Sequence, residues 1–472
     1  MKRGAAILAI ALFGGCAVGP DYVRPESEVP QAYKEAGAWK LAQPQDEASR
    51  GKWWEIFKDP QLDALLEQVE ISNQNVLASE AQFRRARSLL AASRAGYFPT
   101  VTADASITRS RSPTGLVGGT TAGRIITNRS ASLDAGWELD LWGRVRRTVE
   151  SNEANAQASA ADLAAARLSA QAALASNYFL LRVLDAQKQI LDENVGALQR
   201  SLDLTKNRYA AGVAAKVDLV QAETQLKSTL ADAVDTGVQR AQLEHAIAVL
   251  IGKPPAAFSL PPTALAVTMP AIPPAVPSAL LERRPDIAAA ERTVAAANAQ
   301  IGVAKAAYFP ALSLSGSLGS RAADASQWFT APSRFWSIGP ALSLPLFDAG
   351  LRRAQTDQAI AAYDATVAEY RQAVLTGFQE VEDNLAALRI LEEEAKVQED
   401  AVRAARESVI LTTNQYKAGT VSFLNVAVVQ ASQLNNERTA MGILGRRLVA
   451  AVTLVKALGG GWSAAEIAAD NR

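Results

Sequence analysis

The hexapeptide Arg94-Ala-Gly-Tyr-Phe-Pro99 recurs later in the chain as Lys305-Ala-Ala-Tyr-Phe-Pro310, and this internal repeat decides the fold. The two copies lie 211 residues apart. A second pair follows at a similar spacing, because Asn207-Arg-Tyr-Ala-Ala-Gly212 is matched by Asn414-Gln-Tyr-Lys-Ala-Gly419. Self-similarity at a fixed distance indicates a duplicated structural unit. The sequence therefore predicts two copies of one plan.

Each copy contains a candidate β-hairpin next to the Tyr-Phe-Pro signal. Apolar residues alternate with polar or small ones over 131–141 and again over 336–346, a pattern typical of strands with one apolar face. The stretches 101–107 and 312–318 show the same alternation. We predict hairpins at about 100–142 and about 311–347, with surface loops at 113–124 and 319–334.

These strands are suited to a membrane barrel that no single chain can close. Strands of about ten residues cross a bilayer when tilted, with apolar side chains outward and polar ones inward. The smallest such barrels have about eight strands, and an open edge is not tolerated in lipid, so four strands per chain are too few. Three copies supply about twelve strands. On the strands alone, a soluble sandwich sheet would show the same alternation.

Long helices form the other half of each repeat. Residues 143–209 contain no proline and one interior glycine, Gly196, which predicts on the order of 100 Å of helix. A comparable stretch covers 350–416, and shorter partners cover 217–250 and 423–458. Helices this long pack against one another along their lengths and do not fold around a separate globular core. A long intracellular coiled coil is the alternative, but it leaves the strands unexplained.

Composition excludes several functional classes. The chain has 472 residues, and its 48 Lys and Arg balance its 48 Asp and Glu, with no block of like charge that would indicate nucleic-acid binding. One Cys and one His cannot form a disulfide or a multi-histidine metal site within the chain. We find no nucleophile–base pair, phosphate loop or metal motif. We therefore expect neither an enzyme nor a bound cofactor or metal.

The N-terminus has the layout of a secretory signal. Lys2 and Arg3 precede an apolar run over 5–13, which is too short to span a bilayer, and Cys16 follows. This arrangement resembles the bacterial lipoprotein signal, which implies cleavage after residue 15 and covalent lipid on Cys16. By the same resemblance, Ala17 favours sorting to the outer membrane. The alternative is an ordinary signal that leaves the thiol unmodified.

The sequence as a whole resembles the TolC-like outer-membrane factor family, in particular its NodT-type lipoprotein branch. The resemblance covers nearly the whole chain. Its most specific motifs occur in the family's order. They are Cys16-Ala-Val-Gly-Pro-Asp-Tyr22 with Arg24-Pro25, Trp53-Trp54-Glu-Ile-Phe57 with Asp59-Pro60 and Leu62, and Arg283-Arg284-Pro285-Asp286-Ile287 running on to Phe309-Pro310.

This resemblance implies a homotrimer whose hairpins form one shared 12-stranded barrel in the outer membrane, lipid-anchored and extending into the periplasm as a helical tunnel. It also implies a periplasmic adaptor protein and an inner-membrane proton-driven pump as partners. Such a protein transports by providing a path.

The resemblance also implies a gate at the periplasmic helix tips, where Gly212 and Gly419 allow tight reversals. Departures from some members at Val421, Asn425 and Val428 imply a less charged gate, and ordinary helix-tip packing is the alternative for all these residues. Carried over position by position, the gate residues are Asp218, Tyr416, Leu424 and Asn425.

The predicted fold class is mainly α with a small membrane β-barrel, and the predicted function is the outer-membrane channel of a tripartite efflux system that exports small molecules. An exit duct of a protein-secretion system and a non-conducting, periplasm-spanning structural lipoprotein remain as alternatives. The predicted segments are a signal peptide at 1–15, a lipid-anchored segment at 16–60, repeats at 61–253 and 278–458 with the order helix, hairpin, long helix and helix, a linker with eight prolines at 254–277, and a tail at 459–472.

Overall fold

The computed structural model describes residues 17–36, 52–111, 125–263, 265, 269–270 and 283–460. Over these residues the chain is mainly helical with four β-strands, which confirms the predicted content of secondary structure. None of the helices described there is long and apolar enough to cross a membrane. Cys16, the predicted signal peptide, the loop predicted at 113–124 and most of the predicted tail lie outside the described residues.

Both repeats contain a helix, a β-hairpin, a long helix and a shorter helix in the same order, and the described part of the first begins with an additional short helix. Each contains a 67-residue helix followed by a 35-residue helix. The elements are α1 Pro60–Ser72, α2 Gln74–Arg94, β1 Thr100–Arg111, β2 Ile125–Leu139, α3 Arg144–Ala210, α4 Lys216–Leu250, α5 Pro285–Ala306, β3 Ala311–Ala322, β4 Arg334–Ser343, α6 Leu351–Lys417 and α7 Phe423–Ala457.

An aspartate shortly before each long helix caps its N-terminus. The Asp140 carboxylate accepts hydrogen bonds from the backbone N–H groups of Val145 and Arg146, at 2.9 and 2.8 Å. The Asp348 carboxylate does the same for Gly350 and Arg352, at 3.0 and 3.3 Å. A carboxylate at this position satisfies N–H groups that have no partner inside the helix and complements the helix dipole.

The four strands form one antiparallel sheet in the order β1-β2-β3-β4. Each repeat supplies one hairpin, and β2 pairs with β3 to join the repeats. The register places the apolar residues of all four strands opposite one another, and therefore on one face, because alternate side chains point to the same side. Opposed pairs include Ala103 with Leu133, Leu133 with Leu318, and Leu318 with Trp336.

The prediction of a surface loop at 319–334 was wrong at both ends. Strand β3 continues through Gly319 to Ala322, and β4 already begins at Arg334. Gly319 is paired with Phe335, and Ser320 with Arg334. The Gly and Ser content that suggested a loop is compatible with this sheet, because small residues also fill the polar face of β3.

The chain forms two compact units that do not coincide with the repeats. Unit 1 comprises described residues within 1–26, 83–159 and 290–370, and unit 2 those within 27–82, 160–289 and 371–472. Each unit therefore draws on both repeats. This division follows from long helices that pack side by side, so that neighbours in space come from opposite halves of the chain.

In unit 1 the N-terminal segment lies against residues of both repeats. The backbone N–H of Val18 donates to the carbonyl of Trp142 at 3.0 Å, and Asn298 donates to the carbonyl of Pro20 at 3.1 Å. A Cβ atom added to Gly19 would lie 2.5 Å from the Cα of Gly302, so the two backbones are in direct contact.

In unit 2 an aromatic cluster anchors helix α1. Trp53, Trp54 and Phe57 are buried, and the Phe57 ring lies 4.8 Å from that of Phe179. Asp59 caps α1 through the N–H groups of residues 61 and 62 and also accepts a hydrogen bond from Tyr178 at 2.7 Å. These contacts explain physically the Trp-Trp-Glu-Ile-Phe and Asp-Pro motifs noted in the sequence.

The described part of the proline-rich linker is fixed to unit 2 by buried charges. Arg182 donates to the carbonyl of Pro261 at 2.9 Å and pairs with Asp185 at 2.8 Å. Arg240 binds the other oxygen of Asp185 at 2.7 Å, so two arginines share one carboxylate. The linker therefore begins as packed chain before residue 264.

Candidate functional site

The two helix tips have the same turn. We call the turn between α3 and α4 the first tip and the turn between α6 and α7 the second tip. Gly212 and Gly419 lie in the left-handed region, with φ of 72° and 79°, where residues with a Cβ are disfavoured. Both tips close with the same two backbone bonds, a Schellman motif. The donors and acceptors are Gly212 to Tyr209, Val213 to Arg208, Gly419 to Tyr416, and Thr420 to Gln415.

Tyr416 occupies the centre of the second tip. It is 3% exposed, and its ring packs edge-on against Phe423 at 5.7 Å. Its hydroxyl lies 3.1 Å from the hydroxyl of Thr205 on helix α3. Thr205 donates its own proton to the carbonyl of Ser201, at 2.9 Å, so Tyr416 is the donor in this pair. This hydrogen bond joins the end of α6 to α3.

Arg208 links the two tips, a role that was not predicted from the sequence. Its guanidinium lies 4.8 Å from the centre of the Tyr416 ring and donates to the carbonyls of Tyr416 and Lys417, at 3.0 and 3.3 Å. These carbonyls belong to the last turn of α6, where a cation also complements the helix dipole. In the second repeat, Gln415 occupies the position that corresponds to Arg208. This difference between the two repeats is the sequence signal that could have pointed to Arg208.

The other predicted gate residues lie outside this buried contact. Asp218 is partly exposed in the first turn of α4, whereas Leu424 and Asn425 are exposed at the start of α7. The hydroxyl of Tyr416 is bonded to Thr205, not to Asp218. Within one chain, Tyr416 is packed against α3, whereas these three side chains are accessible to solvent.

We predict that Tyr416→Phe loosens the second tip, because it removes the hydrogen bond to Thr205. The loss should be about 1 kcal/mol of local stability, which corresponds to roughly fivefold faster amide exchange around residues 411–426. Tyr209→Phe is the matched control, since Tyr209 holds the equivalent position in the first tip but is 43% exposed. Exchange measured by mass spectrometry checks both variants, and equal rates in the two would contradict this role of Tyr416.

In unit 1 the sheet exposes its apolar face. Trp336, Ile338 and Leu342 are 75%, 69% and 68% exposed in one chain. Strands β1 and β4 each have only one neighbour among the described strands, so both edges of the sheet remain open. A contiguous exposed apolar face marks a surface that another protein or lipid covers, and open edges are sites where further strands can pair.

Aromatic residues surround the place where this sheet meets the helices. The rings of Trp142 and Phe309 stack at 4.7 Å, and Trp142 donates to the carbonyl of Pro310 at 2.8 Å. Phe98 and Phe347, at the ends of strands β1 and β4, are 70% and 89% exposed. Such a belt is typical of the boundary between membrane and water.

Comparison with known proteins gives matches over nearly the whole chain. The sequence model of the family described as outer membrane efflux protein matches residues 65–253 and 276–460. The toluene efflux pump outer membrane protein TtgC of Pseudomonas putida is 32% identical over 98% of this chain and 96% of its own. The cation efflux system protein CusC of Escherichia coli is 29% identical over 96% and 97%. The solved structure of the outer-membrane channel OprN is similar, with a TM-score of 0.89, 32% identity, and coverage of 95% of this chain and 100% of its own.

Proposed function

Because this chain belongs to the outer membrane efflux protein family, we propose that three copies of it form one gated export channel. Membership makes the chain a transport component of the outer membrane and not an enzyme. The observation that carries the trimer is the sheet of unit 1, which has an exposed apolar face and two open edges. Four strands are too few for a closed barrel, whereas three copies supply about twelve and leave no edge.

The channel works as the outer-membrane part of a tripartite pump. We propose that its helix tips dock onto a periplasmic adaptor, which connects them to a proton-driven pump in the inner membrane. The name of one relative specifies toluene and that of another cations, although both are about equally similar to this chain. We therefore propose export of small molecules and assign the choice of substrate to the pump.

We propose that the helix tips form the gate. Tyr416 and Arg208 hold the second tip against α3. The partly exposed Asp218 and the exposed Leu424 and Asn425 face the axis of the trimer and narrow the path. Opening then requires the second tip to leave α3, which breaks the hydrogen bonds of Tyr416 and Arg208.

We also propose covalent lipid on Cys16. Ala17, the next residue, lies beside Gly143, where the sheet meets helix α3 and the aromatic belt. A lipid attached one residue away would enter the membrane at the level of this belt. We expect Cys16→Ser to abolish incorporation of labelled palmitate, while Val18→Ser, beyond the proposed cleavage site, should not. Incorporation that persists in Cys16→Ser would contradict the assignment.

The proposed function is tested in a strain that lacks its own channels of this family. The gene, supplied with an adaptor and a proton-driven pump from its own genome, should restore resistance to toxic small molecules. The adaptor and pump without this gene are the control and should restore none. Equal susceptibility with and without the gene, when the protein is present in the outer membrane, would contradict efflux as its function.

A further inference from the structure

A pocket of about 410 Å³ opens in unit 1 close to the aromatic belt. It lies between the end of α2, the first turns of α3 and the middle of α5, with the N-terminal segment at one side. Charged and aromatic side chains dominate its wall. The residues that matter for its chemistry are Tyr22, Tyr97, Arg146, Glu150, Glu153 and Arg292.

The pocket adjoins the apolar face of the sheet. Trp137, which lies on that face opposite Leu314, donates its indole N–H to the carbonyl of Tyr97 at 3.0 Å. Phe98 follows Tyr97 in the chain and is 70% exposed, and Val101 on the apolar face of β1 is 64% exposed. A ligand with a polar head in the pocket could therefore lay a hydrocarbon chain on the surface proposed to face lipid.

Four charged residues line the pocket, two of each sign, and two of them are already engaged. Arg292 binds both oxygens of Glu291, at 2.5 and 2.7 Å. Glu150 accepts from Arg147 at 2.8 Å. The two charges within each pair neutralise each other, so these pairs contribute little net electrostatic field at a bound ligand.

The remaining two charges, Arg146 and Glu153, are available. Within the described part of the chain, the side chain of Arg146 forms no ion pair. Glu153 has one long contact, 3.8 Å to Arg94, between two exposed side chains. The two residues are seven positions apart on α3, so they share a face of the helix about 10 Å apart along its axis. The pocket thus contains one cationic and one anionic side chain. Both are long enough to reach the two ends of one small zwitterion.

We propose that this pocket binds the phosphoethanolamine headgroup of a phospholipid, with the phosphate at Arg146 and the ammonium at Glu153. Charged hydrogen bonds of this kind are the strong ones in proteins. A choline headgroup has no N–H to donate to Glu153, and a glycerol headgroup has no cation for it, so both fit less well. The inference rests on the proposed membrane position of the sheet.

The second repeat provides a natural comparison. The position equivalent to Arg146 is Arg353, whose side chain is 87% exposed and lies 3.9 Å from Asp357. The position equivalent to Glu153 is Ile360. The pair of opposite charges that would hold a zwitterion therefore occurs in the first repeat alone, and Arg353→Gln is a control that removes an arginine without touching the pocket.

The test uses the full-length protein reconstituted in nanodiscs with equal parts phosphatidylethanolamine, phosphatidylcholine and phosphatidylglycerol. Lipids retained after transfer to mild detergent are counted by native mass spectrometry. We expect phosphatidylethanolamine to be enriched about tenfold over the other two, a factor that one or two charged hydrogen bonds supply. Arg146→Gln should lose retention of this lipid, Glu153→Gln should lose the preference over phosphatidylcholine, and Arg353→Gln should behave as the unmodified protein.

Retention in the bulk ratio by the unmodified protein would overturn the proposal, and so would enrichment of phosphatidylglycerol instead. Unchanged retention in both pocket variants would also overturn it. The oligomeric state is read in the same spectra. A protein that forms a trimer without retaining phosphatidylethanolamine refutes the pocket alone, whereas a protein that never forms a trimer refutes the proposed channel.

Discussion

Replacing Ile338 with arginine is expected to prevent assembly of the protein in the outer membrane. Ile338 lies near the middle of β4, on the apolar face of the sheet, opposite Gly316, and it is 69% exposed in one chain. A lipid-facing arginine near the centre of a bilayer costs about 2–4 kcal/mol. The proposed trimer would carry this cost three times, so we expect loss of trimer from outer-membrane fractions and complete loss of efflux.

Ser337→Arg is the matched control, because Ser337 is the preceding residue of the same strand and points to the opposite, polar face. In the proposed barrel an arginine there would lie in the water-filled interior, and we expect trimer yield and efflux close to those of the unmodified protein. Membrane fractionation and native mass spectrometry measure both variants. Equal assembly of the two would mean that the apolar face does not contact lipid.

The second large effect is expected from Arg284→Ala. Arg284 is 5% exposed and joins the start of α5 to two other helices. Its guanidinium binds Asp286 at 2.6 Å, Glu380 of α6 at 2.5 Å and the last carbonyl of α7 at 3.4 Å. Burial opposes its charge, but the hydrogen bonds to both carboxylates outweigh burial and raise the pKa of Arg284, so it stays charged.

Removing this arginine leaves two carboxylates and a carbonyl without their partner. Breaking a buried ion pair costs about 3–5 kcal/mol, and we expect the lower end because the carboxylates are partly exposed. Arg283→Ala, one residue earlier in the same Arg-Arg-Pro-Asp motif, is the control, since Arg283 takes no part in this network. Thermal unfolding of the two purified variants compares their stabilities. A melting temperature unaffected by Arg284→Ala would contradict the assigned role.

The sequence predicted the elements of this fold because their signals are local. A strand in which Ala131, Leu133 and Ala135 alternate with polar residues can be read from its period alone, and so can a helix of 67 residues without proline. The ends were less predictable. Gly319 and Ser320 looked like loop residues, yet they continue β3 because pairing with β4 decides where the strand ends.

The candidate site was harder to predict, because its contacts join residues far apart in the chain. The turns at Gly212 and Gly419 follow from local backbone rules. The partner of Tyr416 does not, since Thr205 lies 211 residues earlier and becomes a neighbour only when α3 and α6 pack. Arg208 was not predicted either, because its partner Tyr416 also lies far away in the chain.

The helix tips of the two repeats differ in the burial of their tyrosines. Tyr209 and Tyr416 occupy equivalent positions, but the first is exposed and the second is buried against α3. The two turns therefore share one backbone conformation, but it is the tyrosine of the second tip that forms the buried link to α3. In the proposed trimer, this difference makes the second tip the part that must move when the channel opens.

The most direct test of the proposed channel is single-channel recording of the purified protein in a planar lipid bilayer. We predict rare, small openings for the unmodified protein and a stable, several-fold larger conductance when Tyr416→Phe and Arg208→Gln are combined. Tyr209→Phe combined with Arg200→Gln, which alters similar side chains away from the link, should leave the conductance unchanged. Trimers that insert into the bilayer but never conduct, with or without the tip substitutions, would contradict a gated channel.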